Sequence, residues 1–431
     1  MIVKFLTQHM KMKRYFLDNG LEVFLQEDNT VPVAVVNVLY KVGSRNDPPG
    51  KKGIAHLFEH LMFCNKNTPY DYEMQQIGAT NNAYTNYDVT NYYCSVSSEH
   101  FDRALWLEAD RMKELNITQE SLNIQQNVVV EELKQSYHNS PYGDVIIHIM
   151  EMLFVEGHPY HSPIIGYKED ILSVTIDDIK SFKRRYYTPE NAILVVSGNI
   201  DITTAQESIK KYFGAIDCHF NKTSCDCHGC AKAFVCKNSR LTLQQEKPTE
   251  RLKTITRNVP TEAIYCGFIT PSRIDDEFYA TTVLVEMLSC GKSSFLYQNL
   301  VAKEKIFSSI GIEYLDCIFS GVFIMNAFLM PGVTIEQAQQ KLTNTLHNIN
   351  DNVNDRAMQK AKNNILFSIA RHEADIQDRN DLLVNLLNVH DNIVHFAERI
   401  QNTTKVEVIK LIDEIFIKQP RKIVYLKSLR L

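Results

Sequence analysis

The sequence predicts an α+β protein made of two homologous domains, each a mainly antiparallel sheet covered by helices. Three observations lead there. The chain has 431 residues, more than one domain of roughly 100–200 residues accommodates. Its two halves repeat a helix–turn–strand pattern without a gap. Within each half, β-branched runs of strand character occur beside segments with helical periodicity, the mixture expected of helices packed on a sheet.

In chain order, VAVVNVLYKV (33–42) reads as a strand. NNAYTNYDVTNYYCSV (81–96) alternates well enough to form one strand or two. Helices follow at about 99–113 and 118–138, the second with Thr118 placed to cap it. IDDIKSFKRRYYTPENAILVVSG (176–198) lies over VEVIKLIDEIFIKQPRKIVYLKS (406–428), so that Ile179, Phe182, Ile193 and Val196 match Ile409, Ile412, Ile423 and Leu426. Each copy is an amphipathic helix, a turn with proline and a β-branched strand. SLNIQQNVVVEEL (121–133) resembles MQKAKNNILFSIA (358–370), and AHLFEHLM (55–62) lies over TVLVEMLS (282–289). The second copy places Val283 and Met287 against His56 and His60. One half thus carries polar chemistry where its sister carries core residues. The expected division is an N-terminal domain at 1–216, a cysteine-rich linker at 217–240 and a C-terminal domain at 241–431.

Composition excludes several classes. Apolar residues make up 44% and charged residues 23%, ordinary for a globular protein. A net charge of −5 gives no nucleic-acid footprint. No apolar run approaches the roughly 18 residues of a membrane span. The opening residues lack the apolar core and small-residue cleavage site of a signal peptide, so the expectation is a cytoplasmic protein, with an envelope or periplasmic association left open. Of ten cysteines, Cys64, Cys94, Cys266, Cys290 and Cys317 lie in apolar segments and read as small buried hydrophobes. Cys218, Cys225, Cys227, Cys230 and Cys236 crowd together with His219 and His228. That cluster could hold a second zinc, act as a redox-sensitive loop or serve as an unconstrained linker; its C-x-C-x-x-C spacing is not a standard finger pattern.

HLFEH at 56–60 carries the chemistry. On a helix, His56 and His60 are one turn apart on the same side, with Glu59 beside them. Leu57, Phe58, Leu61 and Met62 cover the remaining surface, so the helix belongs in an interior. Burying such polar groups unpaired costs roughly 1–3 kcal/mol each. A zinc ion satisfies both imidazoles, and Glu59 is placed to act on water beside it. The plainer alternative is a chance polar triplet paired to other side chains. Zinc needs a third protein ligand. Glu132 is the best candidate, and it shares a helical face with Gln125, seven residues earlier. The competing reading of Glu131 and Glu132 is a solvated pair.

HLFEH followed by VVVEEL (128–133) resembles the pitrilysin/insulinase family of inverted-zincin metallopeptidases, which includes the mitochondrial processing peptidase and its bacterial relatives. GHPYHSPIIGYKEDI (157–171), YYTPENAILVVSGNI (186–200) and SCGKSSFLYQNLV (289–301) also fit. The resemblance implies that His56, His60 and Glu132 hold one zinc, that Glu59 is the catalytic base, and that Gln125 assists. It implies peptide substrates, bound as an extended strand along Asn82, Ala83, Tyr84 and Thr85 by β-augmentation. Zinc would lower the pKa of water to about 7, and Glu59 would take its proton and pass it to the leaving nitrogen. The length resembles short-chain members, which pair two chains into a closed clam-shell chamber.

Two departures stand out. The family often has glutamate where this chain has Gln125, which cannot carry negative charge. Active relatives carry an arginine and a tyrosine at places that read Val301 and Ser308. The expectation is therefore a zinc-bearing subunit of a heterodimer whose homologous partner supplies the Arg/Tyr pair. The alternative is a non-catalytic structural or regulatory subunit of the same fold.

Overall fold

The computed structural model describes residues 12–64, 69–218, 251–350 and 353–429. Cys225, Cys227, Cys230, Cys236, His219 and His228, and with them the second zinc site considered above, lie outside the described residues. The strands and helices that position the site come in this order: β1 (Met12–Phe16), β2 (Glu22–Glu27), β3 (Val33–Tyr40), α1 (Ile54–Leu61), β4 (Thr80–Thr85), β5 (Thr90–Ser97), α2 (Phe101–Lys113), α3 (Gln119–Leu133), α4 (Val145–Leu153), α5 (Ile176–Tyr186) and β6 (Ala192–Gly198). In the second half they are β7 (Leu252–Arg257), β8 (Ala263–Thr270), α6 (Phe278–Ser289), β9 (Phe307–Leu315), β10 (Gly321–Leu329), α7 (Asp355–His372), α8 (Ile376–Asn388), α9 (Lys405–Ile412) and β11 (Lys422–Ser428). No helix among the described residues is long and apolar enough to cross a membrane.

The chain forms two compact units. One comprises the described residues within Met1–Leu133, Pro163–Cys236 and Ala370–Ile393; the other those within Lys134–Ser162, Lys237–Ile369 and Val394–Leu431. The first contains a six-stranded sheet of order β1-β2-β6-β3-β5-β4, in which only the β2–β6 pair is parallel. The second contains a five-stranded sheet of order β7-β11-β8-β10-β9, in which only β7–β11 is parallel. Strand for strand, β2-β6-β3-β5-β4 repeats as β7-β11-β8-β10-β9. The duplication read from 176–198 and 406–428 is thus a duplication of topology, and β6 and β11 occupy the same offset in the two copies. Threonine capping boxes, Thr175 with Asp178 and Thr404 with Glu407, start the two preceding helices.

Each sheet takes a covering helix from the other half of the sequence. α8 packs on β3 and β6 of the first sheet, and α4 packs on β8 and β11 of the second. Under α8, Leu383, Val384 and Leu387 meet Phe24, Leu39, Ile193 and Val195. The interface is also polar: Asn380 donates to Ser197 Oγ at 2.9 Å, and Arg379 pairs with Asp28 at 2.5 Å. Under α4 the contact is closer and apolar. A Cβ on Gly267 would come within 2.5 Å of Ile149, so β8 needs glycine there for the helix to seat.

One boundary differs from expectation, and the choice left open over 81–96 between one strand and two is decided. The segment 81–96 is two strands joined at Asn86–Val89, where the Asn86 carboxamide accepts the main-chain N–H groups of Asp88 and Val89 at 2.7 and 2.8 Å. The helix expected to reach 138 is α-helical only to Leu133, and a π-helical turn follows at Lys134–His138.

Candidate active site

The site is built wholly within the first unit. α1 begins abruptly after Gly53, whose φ is 95°. A Cβ there would meet the Ile165 carbonyl at 2.4 Å, and one on Gly166, with φ of 81°, would meet the Lys52 carbonyl at 2.1 Å. The two glycines let the 163–167 loop lie directly on the start of the helix. Asp47 supplies the missing cap: its carboxylate accepts the N–H of Gly53 at 2.7 Å and that of Ala55 at 3.1 Å. Burial pushes the Asp47 carboxyl up to about 7, against the pull of these two hydrogen bonds. Because this folded-state value lies above that of the unfolded chain, the native state holds the proton more strongly. The contribution to stability is full below about pH 4 and is lost as pH rises through about 7. In denaturation curves, the stability of the wild type relative to Asp47→Asn should therefore fall between about pH 4 and 7. A difference that is flat or rises with pH would contradict this account.

Ala55, Leu57, Phe58 and Leu61 bury the inner face of α1. The Phe58 ring packs, tilted, 4.1 Å from that of Tyr187, and Tyr187 in turn lies 4.5 Å from Tyr40 on β3. This anchoring turns His56 and His60 outward from the core with ring centroids 4.9 Å apart. α3 crosses beside them and brings Glu132. Its Oε2 lies 3.8 Å from His56 Nε2 and 3.5 Å from His60 Nε2. Among the described residues these three form the only group of histidine, cysteine and acidic side chains with metal-holding geometry, their ligand atoms all within 4.8 Å of one another. Around a tetrahedral zinc with bonds of about 2.0–2.1 Å, ligand atoms sit roughly 3.3–3.5 Å apart. The spacing and the donor set both fit such an ion after a small contraction.

Electrostatics favour the same use. Burial lowers the His56 pKa to about 4, so its ring is neutral at physiological pH and keeps a lone pair. Burial also works against the His60 cation, but the hydrogen bond to Glu132 and the nearby Glu59 charge outweigh it and raise the pKa. The hydrogen bond from His60 holds the Glu132 carboxyl below its ordinary value. Burial raises Glu59, and a hydrogen bond from Thr85 opposes that rise.

The remaining expected residues fall into three groups. Gln125 lies at the site: its Nε2 donates to Cys64 Sγ at 3.2 Å, and its side chain also bonds His60. Asn82, Ala83, Tyr84 and Thr85 lie on β4, an outer strand of the sheet among the described residues. Their side chains alternate between faces. Thr85 turns toward α1 and donates to Glu59 Oε2 at 2.5 Å. Tyr84 turns away, to Asp381 at 3.2 Å and Asn385 of α8, which donates to its hydroxyl at 3.0 Å. Asn82 is exposed and accepts the N–H of Ala83 at 2.8 Å. In the second unit, Val301 lies in a π-helical turn (Tyr297–Lys303), and exposed Ser308 on β9 donates to the Phe328 carbonyl at 3.2 Å. Asp47, Cys64 and the Thr85–Glu59 bond went unrecognised in the sequence. Cys64 and Cys290 also differ from the buried character expected of them, being half-buried and exposed. Both follow helices at which the chain returns to the surface.

Two family models match. Residues 22–166 match "Insulinase (Peptidase family M16)" and residues 173–365 match "Peptidase M16 inactive domain". The zinc protease PqqE of Helicobacter pylori is 31% identical over 341 residues, covering 77% of this chain and 73% of that protein. The crystal structure of a protease from Helicobacter pylori superposes with a TM-score of 0.85 at 27% identity, covering 97% of this chain and 99% of that one. The first half of the periplasmic protease PqqL from Escherichia coli shares the fold with a TM-score of 0.73 at 16% identity, covering 97% and 92%.

Proposed function

The chain belongs to the insulinase (M16) peptidase family, and on that premise we propose that it hydrolyses peptide bonds in short or unfolded peptides, with one zinc held by His56, His60 and Glu132. The observation that carries the reading is the meeting of these three side chains, with Glu59 on the same helix turn. When bound, zinc supplies Lewis-acid polarisation of water and of the scissile carbonyl. Glu59 accepts the proton that water gives up and returns it to the leaving nitrogen. Among the described residues β4 is an outer strand of its sheet, and an extended peptide adds to that edge as a further strand; its main-chain bonds make recognition tolerant of sequence. Asn82 and Ala83 present small or flexible side chains at that edge.

The heterodimer is the finer part of this proposal. Val301 and Ser308 stand where active relatives carry arginine and tyrosine, so a second, homologous chain would supply that pair. That a chain of this length corresponds in fold to the first half of PqqL is in keeping with pairing of two such pieces. A purely structural subunit would have no use for Glu59 beside a metal-binding trio, which disfavours the non-catalytic alternative.

The test is hydrolysis of a mixed peptide pool by the zinc-loaded chain, alone and with a homologous partner subunit that carries the Arg/Tyr pair. A chelator should abolish turnover and added zinc should restore it. Turnover that survives chelation would refute the zinc peptidase. Full turnover by the chain alone would refute the need for a partner.

A further inference from the structure

We propose that Thr85 is a positioning residue for Glu59, so that the strand offered to substrate also aims the catalytic base. This rests on the peptidase reading above and adds to it a role for one hydroxyl. Thr85 is the last residue of β4, and its Oγ1 lies 2.5 Å from Glu59 Oε2 and 3.3 Å from Thr90 Oγ1. Thr90 stands directly across the hairpin and commits its own proton to the Val42 carbonyl at 2.9 Å. The single Thr85 proton therefore goes to the nearer acceptor, the Glu59 carboxylate.

The hydroxyl sits on a rigid base. The Asn86 carboxamide closes the turn after Thr85, and the N–H groups of Ser44 and Arg45 bond the carbonyls of Asn86 and Tyr87 at 3.1 and 3.0 Å. These bonds hold the hairpin without the Thr85 hydroxyl. Glu59 has three side-chain torsions, and among the described residues its carboxylate makes no hydrogen bond other than that from Thr85, so its orientation depends on Thr85 far more than the hairpin does. Because Thr85 belongs to the strand that would pair with substrate, the register of the bound peptide and the direction of the base share one element.

Thr85→Val keeps the β-branched shape and removes the donor. Its kcat should fall about 10- to 100-fold, with KM and zinc content unchanged, because a misdirected base of correct chemistry loses rate rather than affinity. Thr85→Ser should recover most of the rate. Thr85→Ala provides a second donor-less variant should valine fail to fold. Wild-type kcat in a folded donor-less variant, an equal loss in the serine variant, or a loss confined to KM would overturn the proposal. Crystal structures of the wild type and Thr85→Val provide a reading independent of turnover: the Glu59 carboxylate should rest on Thr85 in the first and leave that position in the second. An unchanged carboxylate position would overturn the positioning role. Should the wild type hydrolyse no peptide even with a homologous subunit that carries the Arg/Tyr pair, the peptidase reading fails, and this structural comparison still decides what Thr85 does.

Discussion

Replacing Glu59 with glutamine should remove peptide hydrolysis and leave one zinc per chain. Glutamine has nearly the same shape and can still accept a hydrogen bond from Thr85, but it cannot take up a proton at neutral pH. A positioned general base contributes about 10²–10⁴-fold to such reactions, so a loss of that order is expected in kcat. The metal-binding trio draws on His56, His60 and Glu132 and should be untouched. Initial rates on a mixed peptide pool, paired with metal analysis of the same preparation, provide the check. Retention of the wild-type rate would remove Glu59 from the mechanism. Loss of zinc together with activity would place the residue among the ligands instead.

The second large effect lies beneath the site. Arg111 on α2 is wholly buried and forms an ion pair with Glu108, also buried, one turn earlier. Tyr70 donates to the same carboxylate. The guanidinium lies over the rings of Tyr70 at 4.2 Å, Tyr92 at 4.4 Å and Phe63 at 5.5 Å. Phe63 follows α1 directly and packs 6.0 Å from Tyr92, so this cluster steadies the end of the helix that bears His60. Arg111→Met would leave the Glu108 charge buried without a counter-ion, a change that costs about 3–5 kcal/mol. Denaturant unfolding should show a large drop in midpoint, and Arg111→Met combined with Glu108→Leu should regain much of it, because the orphaned charge is then gone. A midpoint unchanged in the single variant would mean that solvent reaches Glu108.

Much of this was legible in the sequence because it is local. The helical period alone puts His56, Glu59 and His60 on one side of α1, and the pattern shared by 176–198 and 406–428 anticipates two sheets of one topology. Glu132 was different. Its distance from HLFEH along the chain carries no geometric information, and it stood level with a solvated pair until the resemblance to a family singled it out. Other features left no local trace. The break between β4 and β5 uses the Asn86 side chain in place of glycine, so the sequence leaves one strand and two equally open over NYDV. Thr85 reads as an ordinary strand residue, and only the crossing of α1 over the hairpin brings its hydroxyl to Glu59. The helix at 376–388 announces an apolar face, but periodicity does not say which sheet that face covers.

The exchange of α8 and α4 between the two halves also sets the order in which the molecule can be finished during translation. The first sheet is complete as a set of strands once β6 has left the ribosome, yet its cover arrives only when residue 388 does. Until then Leu39, Ile193 and Val195 face water on a nascent chain. A cell making this protein must therefore guard a half-clothed N-terminal portion while the stretch between β6 and α8 is made, and a message cut short before α8 yields a product that a chaperone or protease will recognise by that bare face.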